Sequence, residues 1–437
     1  MIGFLKGLFG DRSLRSVMRY SGTILGGNVA AAVLNLITLT LAARLLGAAG
    51  FGSLVLIQTY CQVVDMLANF QSWETVVKFG AVAQRERDWP RFGGLVRFGF
   101  FLDLSSAIVA TLAALAASGL VAPLIGIGAD QVWLLRLYTL VILFNLTGTP
   151  VGVLRLLNRF GLLALEHVLL AVVRLVAVAA ALFLDAGFVA VVLIFLGSRI
   201  FSFVFLFTAA VVVMHRQGRP GWWRGSTGRI GEPLRFAVWS NLKTTTAVPV
   251  KYFDMIIVGA ALSVEAVAVY KIFKEFARVL NQVTDPLFQV LFPEFSRTVG
   301  VNDSREALGL LKKSIQALYA VMVPLGIALM AAAPVVLNLF FGRPYVDHLD
   351  VLLLFIGFKI VFIGLSPLNP FFFAVGYAKY NTLIALVKNV LYALALYAAC
   401  LHFGLYGVVA AYVLEVVFNF GVKTVILRRR RQEWRAA

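Results

Sequence analysis

The chain has 437 residues, of which 61% are hydrophobic and only 14% are charged, whereas soluble domains carry about 25% charged residues. Its net charge of +18 would suit nucleic acid, but most of its lysines and arginines lie between long apolar stretches, which leaves no basic folded module to dock a duplex. We therefore expect neither a soluble globular protein nor a nucleic-acid-binding protein.

The first 19 residues combine apolar side chains, such as Phe4 and Leu8, with the bases Lys6 and Arg12. This mixture is typical of an amphipathic helix at the membrane interface. The apolar stretch that follows is too long for the core of a cleaved signal peptide. We predict that residues 1–19 form an interfacial amphipathic segment that stays in the mature protein.

Twelve apolar stretches are each long enough to cross a bilayer, since a hydrocarbon core of about 30 Å needs roughly 20 apolar residues in a helix. Lysine and arginine clusters occupy every second connection, so the positive-inside rule places those connections and both termini in the cytoplasm. The predicted spans are residues 20–46, 51–73, 98–121, 132–156, 162–184, 187–213, 237–262, 265–291, 314–341, 348–375, 379–402 and 404–427.

The second span repeats in the eighth at an offset of 216 residues, where Gln58 matches Lys274 and Gln62 matches Arg278. Because six is an even number of crossings, both halves enter the membrane from the same side. The sequence therefore predicts an all-α polytopic membrane protein with twelve transmembrane helices in two parallel six-helix bundles. The predicted segments are a first bundle at 20–214, a basic cytoplasmic linker at 215–236, a second bundle at 237–427 and a basic cytoplasmic tail at 428–437.

Proline marks matching places in the two halves. Pro150 lies in the fourth span beside Gly148, and Pro367 and Pro370 lie in the tenth. Each proline removes a backbone N–H donor from its helix. We therefore predict kinks at both places.

Polar residues inside the spans form stripes along single helix faces. Gln58, Gln62, Asp65 and Asn69 are spaced by four, three and four residues, which places them on one face of an α-helix. A charge in the lipid core costs about 2.5 to 3.5 kcal/mol, so such a face should border protein or a water-filled cavity. We predict that the first, second, seventh and eighth spans wall this cavity.

Bases outnumber acids within the spans, so the interior suits an anion such as a phosphate group better than a cation. Lys274 and Arg278 are favoured as ligand-facing bases, because no carboxylate of their own helix fully balances them. The predicted substrate-binding residues are Arg44, Gln58, Gln62, Asp65, Asn69, Lys251, Lys274, Arg278 and Asn281.

Acidic residues on the same helices have two interpretations. Asp254, Glu275 and Asp285 are candidates for coupling transport to a proton or ion gradient. However, Asp254 lies three residues after Lys251, and Glu275 lies four residues after Lys271, which are also the spacings of local ion pairs.

Charges in other spans leave similar alternatives. Arg174 and Arg199 fit a structural role, with Glu166 or backbone carbonyls as partners, as well as they fit substrate contact. Lys388 and Glu415 are better explained by a polar contact between helices. No Gly-x-x-x-x-Gly-Lys-Ser/Thr loop is present in the sequence, which argues against a built-in ATPase.

Short motifs along nearly the whole chain resemble those of a known family. They are RLLG at residues 44–47 and GFG at 50–52 in the first half, and VAVY at 267–270 and LFPEFSR at 291–297 in the second. Their order resembles that of the Wzx-type polysaccharide biosynthesis flippases of the multidrug/oligosaccharidyl-lipid/polysaccharide exporter superfamily. Ala268 departs from the glycine that the family usually has at that position.

This resemblance implies a flippase that moves a polyprenyl-diphosphate-linked oligosaccharide across the cytoplasmic (inner) membrane by alternating access, for cell-surface polysaccharide synthesis. The expected partners are that lipid-linked saccharide, membrane lipids, and a polysaccharide polymerase or export machinery. No enzymatic activity, cofactor or metal is expected. The alternative functions are a multidrug exporter and a flippase for another lipid-linked precursor of the same superfamily.

Overall fold

The structure of the protein is a computed structural model that describes residues 12–218, 225, 230–245, 252–284, 287–300 and 304–429. Within these ranges the chain forms helices joined by turns, and no strand occurs in them. The predicted all-α fold class is confirmed. Nine helical segments of the described ranges are long and apolar enough to cross a membrane, so the chain is a multi-pass membrane protein and the count of twelve spans stays a prediction.

The chain divides into two compact units, of which the first comprises Met1–Gly50 and Ile57–Val248 and the second Phe51–Leu56 and Pro249–Ala437. Helix α1 contributes residues to both units. The helices up to Val248 are α1 (Arg12–Ala68), α2 (Ser72–Arg85), α3 (Trp89–Leu124), α4 (Val132–Thr139), α5 (Gly148–Leu156), α6 (Phe160–Phe183), α7 (Phe188–Arg216) and α8 (Gly231–Thr245). Those after it are α9 (Asp254–Ala261), α10 (Val264–Thr284), α11 (Leu287–Gly300), α12 (Ser304–Val336), α13 (Arg343–Val346), α14 (Leu349–Ile363), α15 (Leu368–Ala374), α16 (Ala378–Phe403) and α17 (Tyr406–Arg429).

Helix α1 bends sharply at Gly47, which lies between the first two predicted spans. Gly47 has φ 66° and ψ 178°, a backbone conformation that side chains with a Cβ rarely adopt. No heavy atom lies within 4 Å of a Cβ built at this position, so the backbone conformation rather than limited space requires glycine there. The bend separates the span predicted at 20–46 from the one at 51–73.

A second glycine of α1 permits close packing within the second unit. A Cβ added to Gly52 would lie 1.9 Å from the carbonyl oxygen of Val264, at the start of α10. Only a residue without a side chain allows the two backbones to approach this closely.

The helices are interrupted at both predicted proline positions. α4 passes into a 3₁₀ turn at Leu140–Phe144, and α5 begins two residues before Pro150. In the second unit, α14 ends at Ile363 and α15 starts directly after Pro367. The predicted interruptions are thus confirmed, and they follow from the backbone donors that proline lacks.

Helix α8 packs on α2 in the first unit. The Lys78 ammonium lies 4.1 Å from the ring centre of Phe236, and the Phe79 ring meets the same ring edge-on. The Ser240 hydroxyl donates a hydrogen bond to Glu74. Because the linker predicted at 215–236 is described only in part, its bounds stay a prediction, as do those of the interfacial segment at 1–19 and the tail at 428–437.

Candidate functional site

The polar stripe of α1 borders a small internal cavity in the first unit. The cavity has a volume of about 40 Å³, which is enough for at least one water molecule. Three of the predicted site residues, Gln58, Gln62 and Asp65, lie together in its wall. The remaining lining residues are Cys61 of α1, Tyr138 of α4, Val141, Ile142 and Asn145 of the following turn, and Arg199 of α7.

The polar groups of this cavity are only partly satisfied by one another. The Asn145 amide donates to Asp65 Oδ2 over 2.5 Å. The Gln58 Nε2 atom is buried and has no hydrogen-bond partner in the described part of the chain. Arg199 exerts an electrostatic effect on Asp65, but among the described residues its guanidinium makes no hydrogen bond or ion pair. The cavity therefore retains donors that a water molecule or a ligand hydroxyl group can use.

The neighbouring arginine of the first unit has a different role. The Arg174 guanidinium donates to the Ser198 hydroxyl from two nitrogens, over 3.1 and 3.0 Å, and lies 4.9 Å from the Phe195 ring centre. Glu166 accepts a 2.5 Å hydrogen bond from Ser202 and lies 3.6 Å from His167 Nε2. The structural interpretation of Arg174 is therefore favoured, although its partner is Ser198 rather than Glu166.

Asp103 has no predicted role, yet its carboxylate joins three helices of the first unit. Asp103 Oδ2 accepts from the Ser72 hydroxyl over 2.7 Å, the Thr149 amide over 3.0 Å and the Thr149 hydroxyl over 2.9 Å. These bonds connect α2, α3 and the start of α5, next to Pro150. No spacing in the sequence could have revealed the cluster, because its members lie far apart along the chain.

In the second unit, Asp254 is surrounded by donors. The Lys274 ammonium lies 2.7 Å from its Oδ2 and 3.0 Å from its Oδ1, and the Tyr270 hydroxyl donates to Oδ2 over 2.7 Å. The Met255 amide donates to Oδ1 over 2.8 Å. Lys274 thus has a carboxylate partner on a different helix, α9, which the sequence could not indicate.

A ladder of ion pairs runs along α10 beside this pair. Glu275 accepts from Lys271 over 2.7 Å and from Arg278 over 3.1 Å. The local pair expected between Lys271 and Glu275 is therefore confirmed. Arg278 is the open end of the ladder, because its side chain is 60% exposed while that of Glu275 is 10% exposed.

Further bases lie in the interior of the second unit. The Lys359 ammonium of α14 lies 4.6 Å from the Tyr412 ring centre, and among the described residues it makes no hydrogen bond or ion pair. Lys388 of α16 and Glu415 of α17 form an ion pair of 2.5 Å, which confirms the expected helix–helix contact. The position of Lys359 within a predicted span makes it an intramembrane base, but nothing in the sequence selects it as a site residue.

The remaining predicted site residues lie at the edges of these clusters or elsewhere on the helices. Arg44 is exposed on α1, and Asn281 is half-buried one turn after Arg278. Asn69 follows the end of α1, where its Oδ1 accepts from the Gln71 amide over 3.0 Å and its side-chain amide hydrogen-bonds the Asp65 carboxylate. Lys251 and Asp285 lie outside the described residues.

Comparisons with known proteins identify relatives of the chain. The model of a family described as polysaccharide biosynthesis protein matches residues 41–350. The chain is 32% identical over 189 residues to the inner membrane protein YghQ of Escherichia coli (strain K12), covering 43% of this chain and 53% of that protein. It is 24% identical over 186 residues to a putative O-antigen transporter of Shigella flexneri, covering 42% of this chain and 44% of that protein. The chain thus matches about half the length of each relative.

Two solved structures share the fold. An inward-facing multidrug resistance MATE family transporter of the MOP superfamily matches with a TM-score of 0.73 and 15% identity, covering 92% of this chain and 96% of that one. The lipid II flippase MurJ, in an inward closed conformation, matches with a TM-score of 0.63 and 11% identity, covering 94% and 87%. These named structures are of a transporter and a flippase, not of enzymes.

Proposed function

Because the chain belongs to the polysaccharide biosynthesis protein family, we propose that it is a flippase that moves a polyprenyl-diphosphate-linked oligosaccharide across the cytoplasmic (inner) membrane. The resemblance to Wzx-type flippases, which rested on short motifs, is confirmed at the level of family and fold. The protein is a transporter rather than an enzyme, in agreement with the transporters and the flippase that it resembles.

The observation that carries this proposal is the excess of base in the second unit. Among the described residues, five bases interact there with three carboxylates: Lys271, Lys274, Arg278, Lys359 and Lys388 with Asp254, Glu275 and Glu415. Such an excess favours an anionic ligand, and guanidinium and ammonium groups both bind phosphate oxygens. A site for cationic drugs would instead require an excess of carboxylate or apolar surface.

We assign the diphosphate to Arg278, which presents its free side at the end of the ladder, with Lys274 contributing charge from its pair with Asp254. The guanidinium of Arg278 has five N–H donors, and its hydrogen bond to Glu275 uses one of them, so other donors are available to a phosphate group. Hydroxyl groups of the saccharide suit amides such as Gln58 and Gln62, while the polyprenyl chain remains in lipid. The other residues that we propose as substrate contacts are Arg44, Asn69, Lys251 and Asn281.

Alternating access is the transport cycle that we propose. The breaks before Pro150 and at residues 364–367 interrupt one helix in each half, which allows the flanking segments to bend. Asp254, Glu275 and Asp285 stay proposed as coupling groups. The donors around Asp254 and the two ion pairs of Glu275 support the alternative that both carboxylates are fixed ion-pair partners, so all three candidates need the same test.

Transport in proteoliposomes tests the function directly. The full-length protein is reconstituted with a fluorescent polyprenyl-diphosphate oligosaccharide, and the fraction of label protected from a membrane-impermeant quencher is measured. We expect protein-dependent exchange of the label between leaflets and no export of a cationic dye. Export of the dye without movement of the labelled lipid would instead assign the protein as a multidrug exporter.

Deletion of the coding sequence tests the role in the cell. A lipid-linked glycan should accumulate on the cytoplasmic face, and its analysis would identify the saccharide. We place the protein in the inner membrane with both termini in the cytoplasm, and a polysaccharide polymerase or export machinery is the partner expected to use its product. Accumulation of another lipid-linked precursor would favour the runner-up flippase function.

A further inference from the structure

A groove on the first unit combines an apolar wall with bases at one end. It has a volume of about 640 Å³ and lies between α6 and α7. Arg159, directly before α6, and Arg216, the last residue of α7, line the same end. Because α6 and α7 are joined by a short turn at residues 184–187, this is the end opposite that turn.

The rest of the groove is apolar. Leu165 of α6 and Phe201, Val204 and Val212 of α7 contribute to its wall, and Thr208 lies midway along it. Phe201 and Arg216 are fifteen residues apart on one helix, which corresponds to about 22 Å at 1.5 Å per residue. One leaflet of the hydrocarbon core is roughly 15 Å thick, as half of about 30 Å. The groove therefore has the length of a single lipid chain with its headgroup.

The two arginines differ from the structural arginines of this unit. Both side chains are exposed, and neither makes a hydrogen bond or an ion pair within the described ranges. Structural arginines of the same unit behave differently, since Arg174 bonds Ser198 and Arg136 bonds Ser118 over 3.1 Å. Two guanidinium groups without partners in the described part of the chain, at the membrane-surface end of an apolar groove, suit a phosphate headgroup.

We propose that this groove binds one anionic phospholipid of the adjacent leaflet, with its phosphate between Arg159 and Arg216 and one acyl chain along the wall from Val212 to Phe201. Charge complementarity at one end and an apolar wall of matching length distinguish this site from a general lipid-facing surface. The site lies on the side of the first unit and is independent of the transport function proposed above.

Native mass spectrometry of the full-length protein tests the site. The protein is extracted from vesicles of equal parts phosphatidylglycerol and phosphatidylcholine, and the retained lipid is counted. We expect the wild type to retain phosphatidylglycerol in preference to phosphatidylcholine. The R159Q/R216Q variant should bind it about thirtyfold more weakly, because each base at a membrane surface contributes about 1 kcal/mol. R159K/R216K, which keeps the charge, should retain it.

The matched control is R428Q/R429Q, which removes the same charge from the exposed last turn of α17. This variant should retain phosphatidylglycerol as the wild type does. Equal retention by the wild type and R159Q/R216Q, or an equal loss in R428Q/R429Q, would overturn the proposal. A circular dichroism spectrum and gel filtration profile matching the wild type exclude misfolding as the cause of a loss.

Filling the groove tests the acyl-chain part. T208W should reduce retention although both arginines remain, whereas V176W, at an exposed position of α6 outside the groove, should not. If T208W retains as much phosphatidylglycerol as the wild type, the lipid contacts the arginines through its headgroup alone, and the proposal that its acyl chain lies in the groove is refuted. Displacement of phosphatidylglycerol by added polyprenyl phosphate would assign the groove to the carrier lipid and refute the occupant that we chose.

Discussion

The Lys274 ammonium lies 2.7 Å from Oδ2 of Asp254, and this contact joins α10 to α9 in the second unit. Asp254 is only 3% exposed and also receives the hydroxyl of Tyr270. A base that looked available for substrate in the sequence is therefore half of a buried ion pair. Arg278, one turn further along α10, is the base that stays open.

Removing Lys274 should destabilise the protein more than it affects substrate contact. Lys274→Met leaves the Asp254 carboxylate buried without its ammonium, and the loss should be about 3 kcal/mol. Lys274→Met combined with Asp254→Asn should recover most of the stability, because the pair is then replaced by neutral groups. Thermal unfolding in detergent measures both, and wild-type stability of the single variant would contradict the ion pair.

Arg278→Gln should reduce flipping by about tenfold, through the loss of a charge-assisted hydrogen bond of roughly 1.5 to 3 kcal/mol to the diphosphate. Its stability should change by less than about 1 kcal/mol, because the Arg278 side chain is 60% exposed. Arg297→Gln is the matched control, since Arg297 forms the same type of pair with Glu294 at 74% exposure. Flipping by Arg278→Gln at the rate of this control would remove Arg278 from the mechanism.

The hydrogen bond between Asn145 and Asp65 should contribute to the stability of the first unit. Asn145→Leu leaves the carboxylate with only the Asn69 side chain as a hydrogen-bond partner, which should cost about 1 to 3 kcal/mol. Exchanging the two residues, as Asp65→Asn with Asn145→Asp, should restore the bond and most of the melting temperature. If the exchange is as unstable as Asn145→Leu, the pair does not act as a unit.

Gly52→Ala should destabilise the second unit by roughly 1 to 3 kcal/mol, because its Cβ would meet the carbonyl oxygen of Val264 and the backbone would have to shift. Gly421→Ala is the control, since no atom lies within 4 Å of a Cβ at that position of α17. This second variant should gain about 0.5 to 1 kcal/mol from alanine's helix propensity. Equal melting temperatures for the two variants would contradict the close approach.

Cysteine accessibility tests the polar face of α1. In a background lacking Cys61 and Cys400, a cysteine at Gln62 should react with a small water-soluble thiol reagent. A cysteine at Leu56 should not, because that position is 0% exposed. Leu56 is a better control than Leu67, which lies on the opposite face but is 44% exposed. Equal labelling rates at Gln62 and Leu56 would show that the polar face of α1 does not border water.

Sequence periodicity determined much of the architecture. Long apolar stretches require helices in a bilayer, where the backbone has no other donors and acceptors to use. Glycine and proline fixed the bend at Gly47 and the breaks beside Pro150 and Pro367, because their backbone limits act locally. The pair between Lys271 and Glu275 was predictable for the same reason, since both lie on one turn of one helix.

Contacts between helices were decided by the tertiary structure alone. Gln58, Gln62 and Asp65 follow from their spacing, but Asn145 and Arg199 reach the same cavity from helices that lie far away along the chain. Lys274 was predicted to be free because its own helix lacks a balancing carboxylate, and Asp254 supplies one from α9. Helical periodicity gives the face on which a charge lies, whereas its partner depends on which helix packs against that face, and this is set by the three-dimensional arrangement.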